Sequence, residues 1–126
     1  MSQTEPVRHF TVDEANDLLA SLAPLIESLR SAQRLMEDRQ EDVLTSVVTN
    51  GGGTVHREFL AAASQAAKIG ETVEQMGVIV RDPESGLADF PALRDGKEVF
   101  LCWRLGEDRI GWWHPTDTGF DSRQPL

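Results

Sequence analysis

Cys102, Arg104, Glu107, Arg109, Trp113, His114, Asp117 and Arg123 crowd the C-terminal quarter of this chain, and all three tryptophans fall between Leu101 and His114. These residue types suit three chemistries. Arginines beside a tryptophan hold planar anions or acidic peptides through charge-assisted hydrogen bonds and stacking. A histidine near an aspartate, as in His114 and Asp117, can exchange a proton while the carboxylate orients its ring. Cysteine, histidine and carboxylates together ligate transition metals, with Glu107 and Asp89 as further oxygen donors.

Spacing decides among them. Neither CxxC nor HExxH occurs, so no zinc-type pattern is present. The acidic turn DPESGLAD lacks the DxDxDG order and distal glutamate of a calcium loop. NGGG at Asn50–Gly53 has no strand before it and no GK[ST] after it, so it reads as a connector and not as a phosphate cradle. No metal and no cofactor is expected. Cys102 has no base placed to activate it and reads as a structural thiol. Asp89 and Asp95 read as arginine partners. The set left as candidate ligand-binding residues is Arg104, Arg109, Trp113, His114, Asp117 and Arg123.

These side chains are positioned by an α+β fold: a long antiparallel helical hairpin packed on a small C-terminal antiparallel β-sheet. Thr11 and Glu14 in FTVDE form a capping box that starts a helix at Val12. Ala15, Leu18, Leu19, Leu22, Leu25, Ile26, Leu29, Ala32 and Met36 then recur at helical spacing, with a kink expected at Pro24. The charged run Glu37–Asp42 breaks the stripe, which resumes at Val43, Leu44 and Val47. After the glycines a second helix follows from Thr54, burying Val55, Phe59, Leu60, Ala63, Ala66, Ala67, Ile69, Val73 and Met76 and stopping at Gly77. Short strands are expected at Val78–Val80 and Leu87–Phe90, and a turn at Arg94–Gly96. Lys97–Arg104 and Arg109–His114 read as a hairpin with a two-residue turn at Gly106–Glu107.

That hairpin assigns faces. Arg104 falls opposite Arg109, Cys102 opposite Gly111 and Phe100 opposite Trp113. Val99, Leu101, Trp103, Ile110 and Trp112 would pack on the helices with His114 at their edge. Glu98, Phe100, Cys102, Arg104, Arg109 and Trp113 would face outward, which separates Cys102 from His114. Two opposed arginines repel, so an acid or an anionic ligand should lie between them.

With 126 residues, 40% of them hydrophobic, the chain suits a single domain over 1–126: a helical hairpin at 11–76, a small sheet at 78–114 and a tail at 115–126. A net charge of −9 argues against nucleic acid and anionic membranes as partners. The single cysteine and the absence of a leader-like or membrane-spanning apolar run suggest a cytoplasmic protein. Two functions fit. The first is a non-enzymatic interaction module that self-associates through its helices, as a homodimer, and offers an Arg/Trp patch to an acidic ligand or protein partner. The alternative is a small enzyme or a metal- or ligand-binding protein that acts on an anionic small molecule through the Arg/His/Asp cluster.

The words DPESGLADFPALRDGKEVFLCWRLGEDRIGWWH and DTGFDSRQPL, with the opening FTVDEANDLLASLAPLIESLR, resemble the bacterial and archaeal family known as domain of unknown function 2203. The likeness spans nearly the whole chain. The family's recurrent words fall on Asp82, Gly86, Asp89, Phe90, Pro91, Arg94, Cys102, Trp103, Glu107, Trp112, Trp113, His114, Gly119, Phe120, Arg123 and Pro125. The resemblance implies kinship and directs attention to the same C-terminal half. It carries over no activity, substrate or cofactor.

Overall fold

The computed structural model describes residues 8–50 and 53–126, leaving aside the side chains of 41–50. Helix α1 spans Val12–Asn50 and helix α2 spans Gly53–Gln75. The capping box forms as the sequence requires: the Thr11 N–H donates to Glu14 Oε1 at 2.8 Å, and the Glu14 N–H donates to Thr11 Oγ1 at 3.1 Å. Two orphan donors are thereby satisfied at the start of α1. The helix runs through Pro24 without a break. Pro24 and Ala20 are both exposed, so the carbonyl that loses its i+4 donor faces water. The return of the apolar stripe at Val43, Leu44 and Val47, and the reversal at Gly51–Gly52, lie outside the described residues and side chains.

Ala15, Leu19, Leu22, Ile26 and Leu29 of α1 join Ile69 and Val73 of α2 in one buried cluster with the sheet. Leu60, expected on the buried side of α2, is instead 52% exposed. The buried face is centred on Ala62, Ile69 and Val73, and two residues along a helix is a rotation of about 200°. At the end of α2, the Gly77 N–H donates to Glu74 O and the Val78 N–H donates to Val73 O. This pair of bonds closes the helix as a Schellman motif.

Five strands follow among the described residues, paired in sequence order as an antiparallel meander: β1 Ile79–Asp82, β2 Leu87–Arg94, β3 Lys97–Arg104, β4 Trp112–Pro115 and β5 Gln124–Pro125. The β2–β3 turn is Asp95–Gly96, with φ of 53° and 79°, the two positive values a type I′ hairpin needs. β2 continues through Pro91. β1 pairs only as far as Asp89, so Pro91 meets no ladder on that side, and its carbonyl accepts from the Phe10 N–H at 2.7 Å. Gly86 (φ 73°) sits where an added Cβ would come within 2.3 Å of Leu105 Cβ, and its carbonyl accepts from the Leu105 N–H. The β1–β2 turn and the loop after β3 are tied together at this contact.

The β3–β4 connection departs from the expected hairpin. Seven residues, 105–111, separate the strands, and the register pairs Val99 with Pro115, Phe100 with His114, Leu101 with Trp113 and Cys102 with Trp112. That is one residue away from the two-residue-turn register, and a slip of one exchanges the two faces of a strand. Trp113 therefore packs against the core cluster, while Trp112 and His114 move to the opposite face. The loop is held by contacts that local turn chemistry does not encode. The Ile110 N–H donates to Asn16 Oδ1 of α1, the Trp103 indole N–H donates to Glu107 O, and Ile110 is buried in the core.

Helix-facing side chains of the sheet are Ala88, Phe90, Ala92, Val99, Leu101 and Trp103, all buried. The tail forms a 3-10 turn at Phe120–Ser122 and then β5. It lies along β4 and carries Arg123 and Phe120 onto the sheet's second face.

Candidate functional site

The second face of the sheet holds a buried polar cluster. β2, β3 and β4 bring Asp89, Cys102 and His114 together because Asp89 pairs with Cys102 and Phe100 pairs with His114. Asp89 and His114 are only 1% and 2% exposed, and Cys102 is fully buried. One potential ligand atom from each lies within 4.8 Å of the others. β1 adds a fourth member: its register is irregular between Val80 and Asp82, and Arg81, between them, bonds Asp89 Oδ2 through Nε at 2.9 Å.

The protonation of His114 follows from its partners. Nδ1 lies 2.8 Å from Pro115 O, and a carbonyl oxygen only accepts, so Nδ1 carries a proton. Nε2 faces Asp89 Oδ2 at 3.0 Å. A carboxylate oxygen and an imine-type nitrogen are both acceptors, so a second proton must sit on one of them. The other carboxylate oxygen, Asp89 Oδ1, is buried with no hydrogen-bond partner among the described residues. A buried unsatisfied carboxylate oxygen is costly, which makes it the least settled atom of the cluster. Burial and the neighbouring Asp89 carboxylate push the Cys102 thiol up to about 11, and Arg123 pulls it only part of the way back. By itself Cys102 is a thiol at neutral pH and no nucleophile.

A cleft of about 350 Å³ opens over the cluster, bordered by Arg81, Leu87, Asp89, His114, Thr116, Asp117, Thr118, Gly119 and Phe120. Arg81 is held across it by the Asp89 bond and by the Phe100 ring, 4.9 Å below its guanidinium carbon. Its two terminal nitrogens make no hydrogen bond among the described residues.

On the other side the tail is clamped down. Arg123 donates to both oxygens of Glu107, at 3.1 and 2.7 Å, and lies 4.7 Å from the Trp112 ring and 4.3 Å from the Phe120 ring. Burial works to raise the Glu107 carboxyl, but the Arg123 hydrogen bonds and the Arg104 N–H outweigh it and hold it below its ordinary value. Arg123 is thus a structural clamp. The chain belongs to the family described as uncharacterized conserved protein (DUF2203), matched over residues 8–126. No curated protein and no solved structure matches it.

The DUF2203 chain disperses the residue set read from its sequence. His114 and Asp117 border one cleft. Arg123 is taken by Glu107. Arg104 is exposed at the end of β3, 5.4 Å from the Phe120 ring, and Arg109 is exposed in the loop, so the two are not cross-strand neighbours. Trp113 turns toward the helices, where Arg94 covers its ring at 4.6 Å. The expected separation of Cys102 from His114 is reversed by the same change of register. His114 is oriented by Pro115 and Asp89, not by Asp117. Asp89 and Arg81 were absent from the sequence-derived set. The available signal was Asp89 itself, a charge inside the otherwise apolar LADFPAL, which demands a buried partner. In the DUF2203 chain no helix among the described residues is long and apolar enough to cross a membrane.

Proposed function

We propose that this chain binds a small anionic molecule in the cleft above His114 and Asp89, with Arg81 as the anion-binding group. One observation carries this reading. Arg81 borders the cleft, is fixed by Nε and by the Phe100 ring, and has two terminal nitrogens that make no hydrogen bond among the described residues. A guanidinium with such a fork free suits a carboxylate or a phosphate. Thr116 adds a hydroxyl group along the cleft, the Thr118 hydroxyl being already donated to Pro115 O at 3.2 Å, and Asp117 sets a limit on how much negative charge the ligand brings. The His114–Asp89 pair forms the polar floor, where a proton is available to the ligand.

The test is titration with inorganic phosphate and a panel of small mono- and dicarboxylates, read by calorimetry and by thermal shift. Saturable binding that Arg81→Gln weakens at least ~10-fold supports the reading. Binding that is absent for every anion, or unchanged by Arg81→Gln, removes it.

Self-association is a second reading. It is favoured by the exposure of Leu60 on α2 beside the small residues Ala61, Ser64 and Ala67, a surface that permits close helix approach.

A further inference from the structure

Two lone pairs do not face one another at 3.0 Å without a cation between them, and His114 Nε2 and Asp89 Oδ2 do so between side chains only 2% exposed, at the floor of the cleft. A proton satisfies that pair. It makes no use of the Cys102 sulfur that completes the group, and Asp89 Oδ1, buried without a partner among the described residues, gives the carboxylate a second oxygen to turn toward an ion. We propose that Asp89, Cys102 and His114 are the three protein ligands of a single divalent transition-metal ion of the zinc class, with the remaining coordination position directed at the cleft.

Geometry, orientation and donor type support the site separately. Bonds of about 2.0–2.3 Å at tetrahedral angles put ligand atoms about 3.3–3.6 Å apart. The nitrogen and oxygen already lie near that separation, and all three atoms lie within 4.8 Å, so the sulfur has to move by no more than about an ångström. The His114 ring is also oriented as metal-binding histidines are: Nδ1–H donates to a backbone carbonyl, which fixes the tautomer and presents the Nε2 lone pair. Arg81 holds the carboxylate in the same way from outside. One sulfur, one nitrogen and one oxygen donor suit zinc or cobalt, whereas magnesium and calcium take oxygen alone. Thiolate and carboxylate together balance the charge of the ion, and the positive charge of Arg123 is neutralised by Glu107. Three protein ligands below a cleft is the arrangement that leaves a position for water or ligand. The site shares its cleft with the anion proposed above and does not depend on that anion.

The experiment is titration of the metal-free full-length protein with cobalt(II) chloride, in phosphate-free buffer. Cys102 is the chain's one cysteine, so a near-ultraviolet thiolate-to-cobalt band reports this site alone. The expected result is one equivalent bound, with that band and the strong visible bands of a four-coordinate ion, all displaced by zinc chloride. Cys102→Ser should abolish the near-ultraviolet band, and His114→Gln should weaken binding more than ~10-fold. Circular dichroism confirms that each variant is folded, and the wild-type titration decides the matter if one is not. Absence of saturable binding by ~100 µM cobalt, or a band that survives in Cys102→Ser, overturns the proposal. Phosphate titration of the metal-free protein is run apart from it. A cobalt band without binding of phosphate or any carboxylate of the panel leaves the metal site standing and removes the anion reading, and the converse removes the metal site alone.

Discussion

Replacing Asp89 isolates the energetic centre of the cluster. In Asp89→Ala the His114 side chain, 2% exposed, loses the partner of its Nε2 in a largely buried setting, while Arg81, 43% exposed, regains solvent. Removing one member of a buried pair costs about 3–5 kcal/mol. Because only the His114 side is largely buried, the loss belongs at the lower end, about 3 kcal/mol. Asp89→Asn keeps the shape, and its amide can donate to Nε2. Arg81 and His114 share the single oxygen Oδ2, so the amide nitrogen serving His114 cannot also accept from Arg81. The cost is then one charged hydrogen bond, discounted for solvent, of about 1 kcal/mol. Urea denaturation of both variants in the presence of a chelator measures the difference, and a domain of this size has on the order of 5–15 kcal/mol in total to lose. Equal losses in the two variants, or a loss below about 1 kcal/mol for Asp89→Ala, would refute the inference that the pair is largely buried and mutually dependent.

Trp103→Ala should lower stability by about 3–5 kcal/mol, since the ring is 2% exposed and its indole N–H bonds Glu107 O. Trp113→Ala should cost distinctly less because that ring, on the same face, is only half-buried under Arg94, and similar denaturation midpoints for the two variants would contradict this difference in burial. Glu107 titrates below its ordinary value near 4.5 in the folded chain. Its pairing with Arg123 therefore contributes fully above that pH and is lost as pH falls through the lowered value. Glu107→Gln should be less stable at neutral pH and show a shallower acid loss, and parallel acid profiles would count against the clamp. Sedimentation equilibrium at tens of micromolar, about where a modest helix interface should hold, is expected to show a dimer, and monomer alone would end the self-association reading.

The sequence by itself determined the elements whose causes are local. The start of α1 is fixed by Thr11 and Glu14, its buried stripe by helical spacing, the end of α2 by Gly77, and the β2–β3 hairpin by Asp95–Gly96, whose turn type sets the register without help from elsewhere. The β3–β4 register has no such local cause. It depends on how many residues the connection absorbs, and that number is set by Asn16 holding the Ile110 N–H from 94 residues away and by Glu107 serving Trp103, Arg104 and Arg123 together. Since side chains alternate across a strand, one residue of register decided whether Cys102 and His114 were strangers or neighbours. The tertiary structure alone brought Asp89, Cys102 and His114 from three strands to one buried point and Arg81 from a fourth onto its edge, because cross-strand pairing joins positions with no fixed spacing in the chain.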